Sequence, residues 1–319
     1  MEAFFVVNPV AGSGRARRAW NRLQDLVGAP LPSSLTRAPG QAVELALGAA
    51  HEGYPLVVAV GGDGTANEVV NGLMQLPPER RPAFGQVSCG TGNDFARNTG
   101  IPRRLETWLR LLREPHLRPL DLGRVNGRYF LNITGVGFDA EVAHLGGQLP
   151  TFIPGTFNYM VAILAQLATY RNQLMRIRVD GRSWEERCLL VAVGNLPHCA
   201  GGLNLCPTAR ADDGLLETVV VGDLTRSEVL RVLPRVFPGT HVRHPKVQVL
   251  AAREVEVDSD APLHWQADGE VMAGLPARLD AHPAAIQLLA PAAAAAAGLP
   301  QAAQRQAEPS LPRHAGRAR

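Results

Sequence analysis

The chain has 319 residues, 46% of them apolar, and a formal net charge of +3, which gives material for two domains with a real core and no charge excess that would imply a nucleic-acid partner. Lys246 is its single lysine, so enzymes built on a P-loop lysine, a protein-kinase strand lysine or a Schiff-base lysine fall away. Cys89, Cys188, Cys199 and Cys206 form no CxxC pair and follow no secretion signal, which predicts a reduced, cytoplasmic setting, and His198, Cys199 and Cys206 lack a fourth partner for zinc.

In chain order, AFFVV reads as a strand, residues 16–27 as a helix, SSLT as a strand, residues 41–51 as a helix, PLVVAV as a strand, the segment after Thr65 as a helix and FGQVS as a strand. Such alternation predicts a parallel sheet covered by helices on both faces. Beyond Asp121 the texture changes to short strands, with Asn126-Gly127 and Asp180-Gly181 as hairpin turns and helices over 156–170 and 227–236. The charge-free run 149–169 is broken by Pro154 and Gly155. Its helical part is too short to span a membrane and suits a core helix or the wall of a site for an apolar ligand. The expected organisation is an α/β three-layer domain over 1–121 and a mainly antiparallel β domain over 122–289, whose last segment is free to return to the first domain. A tail over 290–319, poor in large apolar residues, is expected to be disordered.

Glycine-rich turns follow the strands. In VVNPVAGSGRARR, Arg17 stands where a dinucleotide fingerprint needs its third glycine, and no GK[ST] is present, so both standard nucleotide motifs are refused. VVAVGGDGTANEVV is a strand, a turn and a helix, with Thr65 and Glu68 at capping-box spacing. Helix amides at such a turn suit phosphate, yet Asp63 at about 4 Å would repel one by roughly 4 kcal/mol at an effective dielectric near 20. Either nothing anionic binds there or a divalent cation mediates. SCGTGNDFARN repeats the pattern, with Thr91 and Asp94 at the same spacing. PTARADDGLLE and WQADGEV are acidic turns that can supply hard oxygens for magnesium and a carboxylate near an acceptor.

Taken together and in this order, NPVAGSGRA, GGDGTANEVVNGL, GTGNDFAR, GVGFDAEV, PTARADDGLL and DGE resemble the bacterial diacylglycerol kinase and YegS-type lipid kinases, relatives of the sphingosine kinases. GGDGT alone is shared with NAD kinases; its combination with GTGNDFAR and DDGL is more specific. The resemblance implies an ATP- and Mg²⁺-dependent kinase with its nucleotide site in the cleft between two domains. The γ-phosphate would pass to a lipid hydroxyl, with diacylglycerol giving phosphatidic acid as the first expectation. A sphingoid base, phosphatidylglycerol or NAD as acceptor, or a nucleotide- and lipid-binding protein without turnover, are the alternatives. Peripheral contact with a membrane surface is implied, and a homodimer is left open.

Carried over by motif, the nucleotide contacts are Asn8, Pro9, Val10, Ala11, Gly12, Thr36, Gly62, Asp63, Gly64, Thr65, Ala66, Asn67, Glu68 and Thr91. Magnesium would be held by the Asp213 carboxylate and the carbonyls of Arg210 and Leu215. Glu270 matches the proton acceptor and Asp268 competes for that role, while Asp63 would organise metal and water. Lysines that relatives place near phosphate are absent, which leaves Arg15, Arg17 or Arg18 to substitute.

Overall fold

In the computed structural model, which describes residues 1–148 and 155–292, the first half alternates as its periodicity predicts. Strands β1 (Ala3–Val7), β2 (Ser33–Leu35), β3 (Leu56–Gly61) and β4 (Ala83–Ser88) pair in the order β2-β1-β3-β4, all parallel. Helices α1 (Ala11–Val27), α2 (Gln41–His51), α3 (Asp63–Leu73), α4 (Asp94–Thr99) and α5 (Leu105–Arg113) connect and cover them. Every residue of β3 is buried, as a parallel strand covered on both faces requires. Phe5, Phe84, Phe95, Trp20 and Trp108 fill this core, each buried phenylalanine contributing about 1.5–3 kcal/mol over exposure.

The second half comprises β5 (Leu117–Val125), β6 (Arg128–Phe130), β7 (Ile133–Gly137), α6 (Phe138–Gln148), α7 (Gly155–Thr169), β8 (Gln173–Val179), β9 (Arg182–Cys188), β10 (Leu190–Gly194), β11 (His198–Cys199) and β12 (Leu203–Asn204). Then follow β13 (Leu216–Val221), α8 (Arg226–Val236), β14 (Val247–Ala252), β15 (Glu254–Asp258), β16 (His264–Ala267), β17 (Glu270–Ala273) and β18 (Ala277–Leu289). One sheet, β14-β13-β10-β7-β16-β17, is antiparallel throughout. The remaining long strands extend the first sheet: β18 lies parallel to β4 at Leu288 and Phe84, runs antiparallel to β5, and passes the sheet on to β15, β8 and β9. The two halves are thus joined by a continuous sheet, not only by a linker.

Asn126-Gly127 and Asp180-Gly181 take left-handed φ values of 46° and 87°, and 45° and 83°, closing the β5–β6 and β8–β9 hairpins as Asn-Gly and Asp-Gly turns favour. Met175, Trp265 and Phe130 pack between the two sheets. A third core forms where Ala162, Ile163 and Leu167 of α7 join Phe138 of α6 and Val229 of α8 over the antiparallel sheet. Residues 149–154 of the charge-free run, and 293–319 of the expected tail, lie outside the described residues. Among the described residues no helix is long and apolar enough to cross a membrane.

Candidate active site

At the carboxyl ends of β1, β3 and β4 the glycine-rich turns pack onto one another, where open parallel sheets place ligands. A Cβ on Gly12 would lie 2.1 Å from the Cys89 carbonyl, and one on Gly90 would lie 2.6 Å from the Gly62 Cα. The glycines therefore serve close approach of backbone to backbone. Gly12, Ser13 and Gly14 run left-handed at φ 59°, 56° and 79° before the regular helix begins. Arg15 ties the first turn to the third, its Nη2 donating to Gly90 O at 2.9 Å and to Thr91 Oγ1 at 3.3 Å. Asn8 Nδ2 donates to Thr65 Oγ1 at 3.1 Å, linking the first turn to the second. Beside them Pro9, Arg17, Ser34, Thr36, Arg37 and Gln41 border an open cleft of about 750 Å³. Val10, Gly64 and Thr91 are exposed at these turns, whereas Ala66 is buried inside α3.

The two capping boxes expected from spacing do not form. Helix α3 starts at Asp63, three residues earlier than Thr65 as its cap would set it, and Gly62 caps it without a side-chain bond. Glu68 instead accepts from Ala42 N at 3.1 Å, at the start of α2. Helix α4 starts after Asn93 in a left-handed conformation, again without a side-chain cap of its own. Its first amides are met by the neighbouring turn: Asp63 Oδ2 accepts from Asp94 N at 3.1 Å and Asp63 Oδ1 from Phe95 N at 3.2 Å. Asp63 thus sits among amides because it caps the helix of the third turn. Burial, with Asp94 beside it, raises its pKa to about 6 despite those amides. Asp94 ion-pairs with Arg97 and accepts from Gly201 N at 2.7 Å.

The second half reaches this cluster through the β16–β17 hairpin, whose turn residues Asp268 and Gly269 have φ of 48° and 89°. Asp268 Oδ2 accepts from Leu131 N at 2.7 Å and Asn67 Nδ2 at 2.9 Å, and Oδ1 from Asn132 N at 2.9 Å and Ile133 N at 3.3 Å. Burial raises its pKa and these donors oppose the shift. Glu270 is 47% exposed and meets Arg128 at 2.5 Å. The same guanidinium donates to Asn67 Oδ1 at 3.3 Å. Asn67, read from sequence as a nucleotide contact, is therefore a hub joining α3 to the acidic hairpin.

Asp213 belongs to a separate turn, where its Oδ1 accepts from Leu215 N at 3.0 Å while the Arg210 side chain pairs with Asp212. Asp121, absent from the sequence-derived set, anchors that turn: its carboxylate accepts from Gly214 N and from Ala284 N, both at 2.7 Å. An acid between apolar residues in PLDLG was the available signal, since a buried carboxylate must find partners. Arg128 carried no comparable signal, because a hairpin arginine is ordinarily a solvated side chain.

A diacylglycerol kinase catalytic domain model matches residues 2–125, and a YegS C-terminal NAD kinase beta sandwich-like domain model matches residues 132–290. A Staphylococcus carnosus diacylglycerol kinase is 31% identical over 279 residues, covering 86% of this chain and 90% of that protein. Its counterpart in Staphylococcus aureus strain MRSA252 is 32% identical over 279 residues, covering 86% and 88%. A Bacillus anthracis crystal structure described as a diacylglycerol kinase shares the fold, with a TM-score of 0.69 at 23% identity over 91% of this chain and 96% of that one. With both domain models matched in order and that identity sustained along most of each relative, the chain belongs to the diacylglycerol kinase family and is a lipid kinase.

Proposed function

We propose that the chain transfers the γ-phosphoryl group of ATP to the free hydroxyl of a diacylglycerol, giving phosphatidic acid, in peripheral contact with a membrane surface. The observation that carries this reading is the bridge from Asn67, in the GGDGTAN segment, to Asp268 and, through Arg128, to Glu270. It brings an amide-rich, phosphate-suited edge and a half-exposed carboxylate to one place. Amides of the turns at Asn8–Gly12 and Gly62–Thr65 would hold phosphate oxygens. Arg17, on the wall of the cleft, is free to meet the polyphosphate, whereas Arg15 is engaged in holding the turns together.

The acceptor hydroxyl is too weak an acid to ionise in advance, so Glu270 takes its proton as the new O–P bond forms and the bond from γ-phosphorus to the β–γ bridging oxygen breaks, leaving ADP. Asp63 and Asp94, whose Oδ2 atoms would lie 3.4 and 3.1 Å from a Cβ on Gly92, suit a hard divalent cation. Asp213 with the carbonyls of Arg210 and Leu215 would hold a structural one. Among the described residues no three His, Cys, Asp or Glu side chains cluster as metal ligands, so such an ion would rely on main-chain oxygen and water, which Mg²⁺ accepts readily. What bound Mg²⁺ supplies is charge neutralisation at the phosphates.

Purified chain with labelled ATP, assayed on mixed micelles of diacylglycerol, phosphatidylglycerol or a sphingoid base and on NAD, tests the reading. Label should enter diacylglycerol and vanish with a chelator. Preferential labelling of another acceptor would replace the substrate assignment.

A further inference from the structure

Two buried polar side chains remain without a role. Asp139, in the first turn of α6, and Gln266, in β16, are 5% and 7% exposed. Gln266 Nε2 donates to Asp139 Oδ2 at 3.1 Å, and Gln266 Oε1 accepts from Gly269 N at 2.9 Å. The carboxylate only accepts and the amide only donates, so the carboxamide can face one way. Room for Asp139 is made by β7: Gly135 lies opposite Gln266 in the ladder, and a Cβ on it would fall 1.8 Å from Asp139 Oδ2. Thr134 Oγ1 also donates to the Gln266 carbonyl, at 2.5 Å. Residues from a helix and two strands are thereby committed to one main-chain amide. That amide belongs to the residue between Asp268 and Glu270.

An Asp-Gly turn closes a hairpin unaided, and a buried carboxylate is costly to keep. The hairpin alone does not call for such a device; the aim of Glu270 does. Its turn is gripped on one side by the amides bound to Asp268 and on the other by Gln266. We infer that Asp139 and Gln266 form a positioning relay that fixes the Asp268–Gly269 turn and so aims Glu270 at the acceptor hydroxyl. The inference rests on the assignment of Glu270 as proton acceptor. Asp139 and Gln266 touch no reacting atom; a shift in the turn of about 1 Å is enough to lose on the order of 10²-fold in rate.

The test is a double-mutant cycle on the full chain, with ATP and diacylglycerol in mixed micelles and a melting curve for each variant. Gln266→Leu should lower kcat at least tenfold with KM for ATP within twofold, and in a Glu270→Gln background it should lower kcat less than twofold further. Asp139→Ala should reproduce the loss, and Asp139→Asn, whose carboxamide oxygen can still accept from Gln266, should recover most of it. The Asp139 pair decides the matter if Gln266→Leu does not fold. Equal losses in both backgrounds, unchanged kcat in Gln266→Leu, or Asp139→Asn as impaired as Asp139→Ala would overturn the relay. Normal turnover by Glu270→Gln would instead remove the base assignment, and the relay with it.

Discussion

Asp63 and Asp268 come from opposite halves of the molecule and are used alike, each carboxylate accepting main-chain amides of a neighbouring segment. Glu270, two residues from Asp268, is different: it faces solvent and pairs with a guanidinium. A carboxylate saturated by fixed amides is held in position, its lone pairs occupied by donors that cannot leave. One paired to an arginine side chain can exchange partners when substrate arrives. The contrast between amide-clamped and arginine-paired carboxylates supports holding as the role of the first and the proposed proton transfer as that of the second.

The largest effect should come from breaking that division. Glu270→Gln is expected to lower kcat by about 10²–10⁴ while leaving ATP binding within a few-fold. Asp268→Asn places an NH₂ group against amide donors, so it should lower the melting temperature as well as activity, at about 1–3 kcal/mol for each donor left unpaired. Steady-state kinetics with a melting curve for each variant separates them. If Asp268→Asn loses rate at unchanged stability and Glu270→Gln does not, the roles are reversed.

Asp63→Asn comes next, at about 10²–10³ in kcat, a loss comparable to removing a preorganised electrostatic group. It also has a pH signature. The folded pKa of Asp63 is about 6 against an ordinary 3.8, so between about 4 and 6 the folded state binds more protons than the unfolded one. Without Mg²⁺ its contribution therefore makes the fold more stable as pH falls from 7 toward 4. Asp139, raised by burial to about 6, contributes with the same sign and is retained in the variant. The melting temperature of wild type minus that of Asp63→Asn should thus increase from pH 7 to pH 5. A difference that is flat with pH would mean Asp63 is not a strained acid.

Much of this was legible in the residues. Apolar alternation marked β1 to β4, and the Gly-containing turns marked both the phosphate-suited edge and the two hairpins, because these are local properties of chain and backbone. What could not be read was partnership. Thr65 and Glu68 have capping-box spacing, yet Asn8 meets Thr65 and the start of α2 takes Glu68, since tertiary packing offered each a better partner than its own helix. Asp121, Arg128 and the Asp139–Gln266 pair act on residues far away in sequence, and spacing carries no trace of such contacts.

The packing of the glycine turns predicts a smaller loss. Gly12→Ala must move backbone, both because its Cβ would meet the Cys89 carbonyl and because φ is +59°. Separating the turns should raise the KM for ATP about tenfold, with kcat changed less, since amides that hold phosphate act in ground and transition states alike. Gly48→Ala, inside α2 with no atom within 4 Å of the new Cβ, is the control. It should be stabilising by up to about 1 kcal/mol and kinetically silent. Equal KM effects from both would detach the turns from nucleotide binding.

The smallest effect belongs to Asp213, and it probes whether the second acidic turn holds a cation as the first group of carboxylates is proposed to do. Asp121 grips that turn through Gly214 N and ties it to β18 through Ala284 N, so Asp213→Ala should leave the fold in place; losing the bond to Leu215 N costs about 0.5–1.5 kcal/mol, or up to about 3 as a charge-assisted one. If Asp213 is a metal ligand, Mg²⁺ without nucleotide raises the wild-type melting temperature and does so much less in the variant. A site at 100 times its dissociation constant stabilises by about 2.7 kcal/mol, and a hundredfold weaker site by about 0.4 kcal/mol at the same concentration. Activity should fall only a few-fold, because the ion assigned to Asp213 is a structural one. Mg²⁺-induced stabilisation that survives Asp213→Ala but is lost in Asp63→Asn would place the cation at the glycine turns alone and leave Asp213 as a turn residue.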